Sequence, residues 1–171
     1  MYPAVGLDGL HLDTVVWTDL GFEGAADYVE FDNNLTTFGV RVTGTATDLG
    51  TAEQTLAGEQ PYSLIAWGRL GAPGVLLTPD ARSGGNGSAL VRVIHVGLAA
   101  VTVDVYVTAP DDNLADFGPN FGGVGSGQTT IGLRLSPGTY RVRSAISGSK
   151  VVIYDSGTVE LVENTSINLL F

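Results

Sequence analysis

The stretch APDDNLADFGPN, residues 109–120, gathers Asp111, Asp112, Asn113, Asp116 and Asn120 in one short polar segment. Several carboxylate and carbonyl oxygens on a flexible loop are what a hard cation such as calcium takes. The spacing lacks the alternating acids, the sixth-position Gly and the twelfth-position Glu of an EF-hand. A solvated turn, with Asp and Asn bonding to nearby backbone, is the plainer reading. Asp111, Asp112, Asn113 and Asp116 are therefore the candidate calcium ligands, and no other cofactor is expected.

His95 stands between Ile94 and Val96 on an alternating apolar run. A base or metal ligand needs partners at suitable spacing. The only other histidine is His11, and no His-x-x-x-His pair exists. A hydrogen-bonded strand histidine is the expectation. Arg141 and Arg143 share one face of a strand by period 2, opposite Tyr140 and Val142. Together with Arg134 they offer positive charge in an acidic chain, for an anionic partner or for solvent. Trp17 and Trp67 could stack on a sugar, although core or interface packing is the commoner role of a tryptophan. Asn34, Asn86 and Asn164 each begin an Asn-x-Ser/Thr sequon.

Catalytic patterns are missing. There is no cysteine, no Gly-x-Ser-x-Gly elbow and no phosphate-binding glycine motif followed by a helix. A non-enzymatic protein is expected. With 18 Asp and Glu against 8 Lys and Arg, the formal net charge is −10, which disfavours nucleic acid and anionic membrane surfaces. No apolar run reaches membrane-spanning length. The start, MYPAVGLDG, has neither a basic nor an apolar leader region.

The elements that would hold these residues are strands. Phe38, Val40 and Val42, then Tyr140, Val142 and Ser144, then Ile167, Leu169 and Phe171 alternate with other residues. Turn signals recur at DNN 32–34, GEQP 58–61, SPG 136–138, SGS 147–149 and DSG 155–157. Many short strands so spaced imply β-sandwiches. TPDARSGGNGS, residues 78–88, reads as a linker between a first domain (1–77) and a second (89–171).

The two halves overlay weakly. GFEGAADYVEFDNNLTTFGVRV lies over GVGSGQTTIGLRLSPGTYRVRS without a gap, placing Phe38 on Tyr140 and Val40 on Val142. TLAGEQPYSLIA lies over ELVENTSINLLF, placing Leu64 on Leu169, and AVGLDG lies over VTVDVY. Nothing in the first half answers to ALVRVIHV, so the first repeat reads as one strand short. An open sheet edge attracts another strand. Protein–protein contacts, including self-association through that edge, are expected.

The run VRVIHVGLAAVTVDVYVTAP, with GTYRV downstream, resembles the signature of the prokaryotic family known as domain of unknown function 4397. The match rests on Arg92, His95, Asp104 and Tyr106; VGLAAV replaces the family's usual Ser-Pro-x-Ala-Pro turn. The resemblance implies secreted, often tandem, immunoglobulin-like sandwiches, with no catalytic residue and with the four signature positions in structural roles. The expected architecture is thus all-β, two tandem immunoglobulin-like antiparallel sandwiches, the first lacking its opening strand. The expected role is a structural or adhesive module outside the cell or on its surface. A filament subunit assembled by strand donation, and a carbohydrate- or calcium-dependent binding module, are the alternatives.

Overall fold

A computed structural model describes residues 5–21, 24–69, 72–80, 84–97 and 101–171. The chain divides into two compact units, Met1–Asp80 and Ala81–Phe171. Regular structure is strand throughout the described residues apart from one 3-10 turn, Leu114–Asp116. A chain rich in Gly, Thr and Val, with turn residues between short alternating runs, favours this outcome.

The first unit contains β1 (Leu7–His11), β2 (Thr14–Leu20), β3 (Leu35–Val42), β4 (Asp48–Thr55), β5 (Tyr62–Arg69) and β6 (Ala72–Pro79). The first four form an antiparallel sheet in the order β2-β1-β3-β4, and β5 and β6 form a separate hairpin. The second unit contains β7 (Ala89–His95), β8 (Val103–Thr108), β9 (Phe121–Val124), β10 (Gln128–Thr129), β11 (Leu133–Leu135), β12 (Gly138–Ile146), β13 (Val152–Leu161) and β14 (Ser166–Leu170). One sheet has the order β13-β12-β8-β9. In the other, β7 lies between β14 and the two short strands β10 and β11.

The second unit's core is aliphatic and lies between these sheets. Ala89, Val91 and Val93 of β7 meet Val103 and Val105 of β8, Val124, Val142 and Leu161. Period-2 alternation sends these side chains inward. One departure from the antiparallel expectation appears here: β14 runs parallel to β7, with Ile167 beside Val91 and Leu169 beside Val93.

The first unit repeats the four-stranded sheet, since β2-β1-β3-β4 corresponds to β9-β8-β12-β13. Its core adds a cluster of rings to the buried Leu10 and Val40. The His11 and Phe31 rings are centred 4.2 Å apart, and Phe38 lies 5.2 Å from each of them. Trp17 meets Phe31 edge-on at 6.2 Å. Trp17 also lies across Gly9, where an added Cβ would come within 2.6 Å of the indole.

Two expectations need adjustment. The linker does not begin at residue 78: Thr78 and Pro79 end β6, and Asp80 is buried. Asp80 accepts hydrogen bonds from the Ser63 and Tyr28 hydroxyls. Residues 81–83 lie outside the described residues. The repeat register also shifts. Asp8 pairs with Arg41 and Asp104 with Ala145, and both carboxylates bind the turn that follows the partner strand. Asp8 is therefore the counterpart of Asp104, one residue from the overlay of AVGLDG on VTVDVY. Phe38 corresponds to Val142 rather than Tyr140, and Val40 to Ser144. A slip of two residues keeps a side chain on its face; a slip of one reverses it.

Candidate functional site

Of the signature residues, Arg92 and His95 lie on β7 and Asp104 and Tyr106 on β8, in the second unit's two sheets. His95 ends β7 and is 2% exposed. Its Nε2 lies 2.8 Å from the Val101 carbonyl, and its Nδ1 accepts from the Gly97 N–H at 3.3 Å. A neutral ring with the proton on Nε2 satisfies both contacts. The ring stacks on Phe171 at 4.7 Å, and Phe171 stacks on Tyr154 at 4.9 Å. A Cβ at position 97 would lie 2.8 Å from the His95 ring, so glycine is required there. His95 thus ties the opening strand to the chain end and to the segment entering β8. It is the hydrogen-bonded strand histidine expected from its surroundings. His95→Phe keeps the stacking and strands two polar backbone groups. It should cost the second unit about 1 to 3 kcal/mol, read as a lower thermal midpoint in tyrosine near-ultraviolet dichroism; an unchanged midpoint would refute this role.

Asp104 points outward from β8 yet is buried. One carboxylate oxygen accepts from the Gly123 N–H and the Ser147 hydroxyl, the other from the Gly148 N–H, all at 2.9 Å. These bonds, led by that of Gly148, hold the carboxyl below its usual titration range against the opposing effect of burial. The carboxylate fastens the β12–β13 turn and the bulge in β9 to the middle of the sheet.

The first unit carries the same device, which sequence reasoning missed. Asp8 accepts from the Asp19 N–H at 3.0 Å and the Thr43 hydroxyl at 2.7 Å, and its pKa is lowered first by the Asp19 bond, then by that of Thr43. Thr43-Gly44 and Ser147-Gly148 are the matching turns, each with glycine at positive φ (76° and 75°). A hydroxyl residue followed by glycine after each of two aligned strands was the available signal.

Tyr106 is 2% exposed and packs with Leu114 and Ala145 under the 109–120 loop. The Lys150 ammonium sits 4.3 Å above its ring and donates to the Phe117 carbonyl. Arg92 is buried on β7, in register with Asn168 of β14.

The arginine pair is engaged within the chain. Arg141 grips Asp155 through Nε and Nη2, at 2.9 and 2.5 Å, and reaches the Pro110 carbonyl. Arg143 is 7% exposed and donates to the Thr108 hydroxyl at 2.7 Å and the Asp112 carbonyl at 3.0 Å. Arg143 is buried, whereas Arg141 stays part-exposed with its guanidinium on Asp155. Their elements explain this: Arg141 pairs with Thr108 and Arg143 with Tyr106 across β12 and β8, directly beneath the loop.

The loop's acids and amides have local partners. Asp112 accepts from the Ala109 N–H at 2.9 Å, Asn113 caps the 3-10 turn through the Ala115 N–H, and Asn120 accepts from the Val107 N–H at 2.7 Å. Asp111 and Asp116 are exposed. Among the described residues, no group of three or more His, Asp or Glu could hold a metal ion. The segment carries a capped 3-10 turn.

Trp17 and Trp67 are half-buried. Trp17 donates to the Asp27 carbonyl, and Trp67 lies over Gly74, where a Cβ would meet it at 2.4 Å. Each packs against a glycine of the neighbouring strand within the first unit. Of the sequons, Asn164 has its side-chain oxygen on the Gly87 N–H. A recess in the second unit is lined by Asn120, Phe121, Gly123, Val124, Gln128 and Thr130 among others, and none of its lining residues ionises.

The fold and its inward-turned polar groups define a class: an all-β protein of two tandem sandwich-type units whose signature side chains brace strands and turns. The chain matches, over residues 3–106, the sequence pattern of the family described as Domain of unknown function (DUF4397), and it belongs to that family. That match spans the first unit together with β7 and nearly all of β8. No curated protein matches the chain.

Proposed function

We propose that this protein is a non-enzymatic structural or adhesive module that works outside the cell or on its surface. The observation that carries this reading is where the signature side chains point. His95, Asp104 and Tyr106 turn toward the chain's own backbone and loops, as does Arg143 beside them on β12, and each joins segments distant in sequence. Side chains so placed stabilise an ordered surface rather than process a substrate. The acidic balance and scarcity of lysine suit a solvated module.

Labelling of intact, unpermeabilised producing cells with antibody against the folded protein tests the reading. Surface or extracellular signal is expected, and signal only after permeabilisation would overturn it. A chelator separates this module from a calcium-dependent one. The thermal midpoint should stay within about 1 °C when EDTA is added, because metal release would remove linked stability.

A further inference from the structure

Asn86 is the one asparagine that a glycine follows; after the others comes Asn, Leu, Phe or Thr. That pair carries its own chemistry. A main-chain nitrogen can attack the side-chain carbonyl carbon of the asparagine before it, and a side chain on the attacking residue obstructs the approach. Glycine has no such side chain.

The structure sets both residues in a tight turn just before β7. Asn86 and Gly87 have φ of 51° and 73°, and the Ser88 N–H donates to the Gly85 carbonyl at 3.0 Å, as in a type I′ turn. Asn86 is exposed, so water reaches it. The nitrogen that would attack is engaged, however. The Gly87 N–H donates to Asn164 Oδ1 at 3.1 Å, across 77 residues of sequence. Asn164 is held in return: its own N–H donates to the Ser88 carbonyl at 2.9 Å, and the Gly84 and Leu90 N–H groups both donate to the Thr165 carbonyl. The turn before β7 is thus stitched to the turn before β14.

We infer that Asn86 is a site of self-modification, converted slowly to aspartate and isoaspartate, and that the Asn164 carboxamide governs the rate. In the first step the Gly87 nitrogen bonds to the side-chain carbonyl carbon of Asn86. The carboxamide C–N bond breaks, and its nitrogen leaves as ammonia with the proton that Gly87 gives up. Water then opens the succinimide ring. Attack at the side-chain carbonyl gives aspartate, and attack at the main-chain carbonyl gives isoaspartate. The Gly87 nitrogen must shed its proton to react, and the bond to Asn164 Oδ1 keeps that proton in place. The contact between the two turns therefore has to open first. Isoaspartate lengthens the main chain by a methylene three residues ahead of Ala89, which opens β7 and is fully buried. Conversion accordingly acts on the joint between the segments entering β7 and β14. This chemistry is independent of the structural-module role.

The test incubates the full chain in warm, slightly alkaline buffer and follows every asparagine by peptide mapping with mass spectrometry. Conversion reads as the mass gain of an amide-to-acid exchange, and isoaspartate as a second peptide of equal mass that elutes apart. Asn86 should convert ahead of the other asparagines. Asn164→Gly removes the carboxamide and suits the φ of 58° at that position. It should speed conversion by about tenfold, the effect of losing one hydrogen bond on a local opening. Asn164→Asp keeps an acceptor oxygen and should convert near the original rate. Should Asn164→Gly fail to fold, the unaltered chain decides: in sub-denaturing urea, Asn86 conversion and Gly87 amide exchange should rise together. Earlier conversion at another asparagine would overturn the inference, as would equal rates in the original chain and Asn164→Gly. So would an Asn164→Asp rate matching that of Asn164→Gly, or an Asn86 rate that ignores urea while Gly87 exchange climbs. Absence of conversion in both the original chain and Asn164→Gly, over the time in which the free peptide GGNGSAL (residues 84–90) converts, would overturn it too.

Discussion

Phe38→Ala should lower the stability of the first unit by about 3 to 5 kcal/mol, the usual cost of removing a buried aromatic ring. Phe38 is 4% exposed, projects from the second-innermost strand of its sheet, and touches both His11 and Phe31. In the first unit the rings pack with the buried Leu10 and Val40. Loss of one ring leaves a cavity that neighbouring strands, fixed by their ladders, close only partly. Both tryptophans, Trp17 and Trp67, lie in the first unit. Denaturant unfolding followed by tryptophan fluorescence therefore reports this unit, and tyrosine dichroism of the second should change little. Phe38→Leu retains most of the volume and should cost clearly less. A shift below about 1 kcal/mol for the alanine variant would show that the aromatic cluster does not hold the unit together.

Asp104→Ala should cost the second unit about 2 to 4 kcal/mol, because two N–H groups and one hydroxyl lose a shared charged acceptor together. The exchange of the Gly123 and Gly148 amides should accelerate before any global unfolding. The pH dependence follows from the direction of the shift. The folded-state pKa of Asp104 is depressed by its hydrogen bonds, whereas the unfolded carboxyl titrates near about 3.9. Its stabilisation is therefore fully present above that unfolded value and is lost as pH falls through the lower folded value. Asp8 and Asp155 are depressed in the same direction, Asp8 chiefly by the Asp19 N–H and Asp155 chiefly by Arg141. The protein should therefore weaken in acid in both units. Asp104→Asn should flatten the acid limb of the second unit; an unaltered limb would mean that this carboxylate does not couple to folding.

Much of this was legible before any coordinates. Alternation at Val103 and Val105, at Tyr140 and Val142, and at Ile167 and Leu169 depends only on the two-residue period of a strand, so the inward faces could be read directly. That VRVIHV has no matching string within residues 1–77 was equally visible. The separation of Arg141 and Arg143 from Val142 also followed from parity. The register between the repeats did not. Apolar identity tolerates slips of two residues, and only the paired carboxylates of Asp8 and Asp104, each on a hydroxyl-glycine turn, pin the true alignment.

The candidate site was legible as a set of residues but not as a set of roles. Arg143 and Asp112 stand far apart in sequence, and no local pattern announces that the guanidinium will bond to the Asp112 carbonyl beneath a loop. The same holds for β6, whose strand includes Thr78 and Pro79, residues that look like the start of a linker. Sequence alone determined which side chains face inward, since that is a consequence of local geometry. Tertiary structure alone decided where the polar groups of Asp104 and His95 find their partners. Those outcomes depend on hydrogen bonds between segments that meet only after the sheets have assembled.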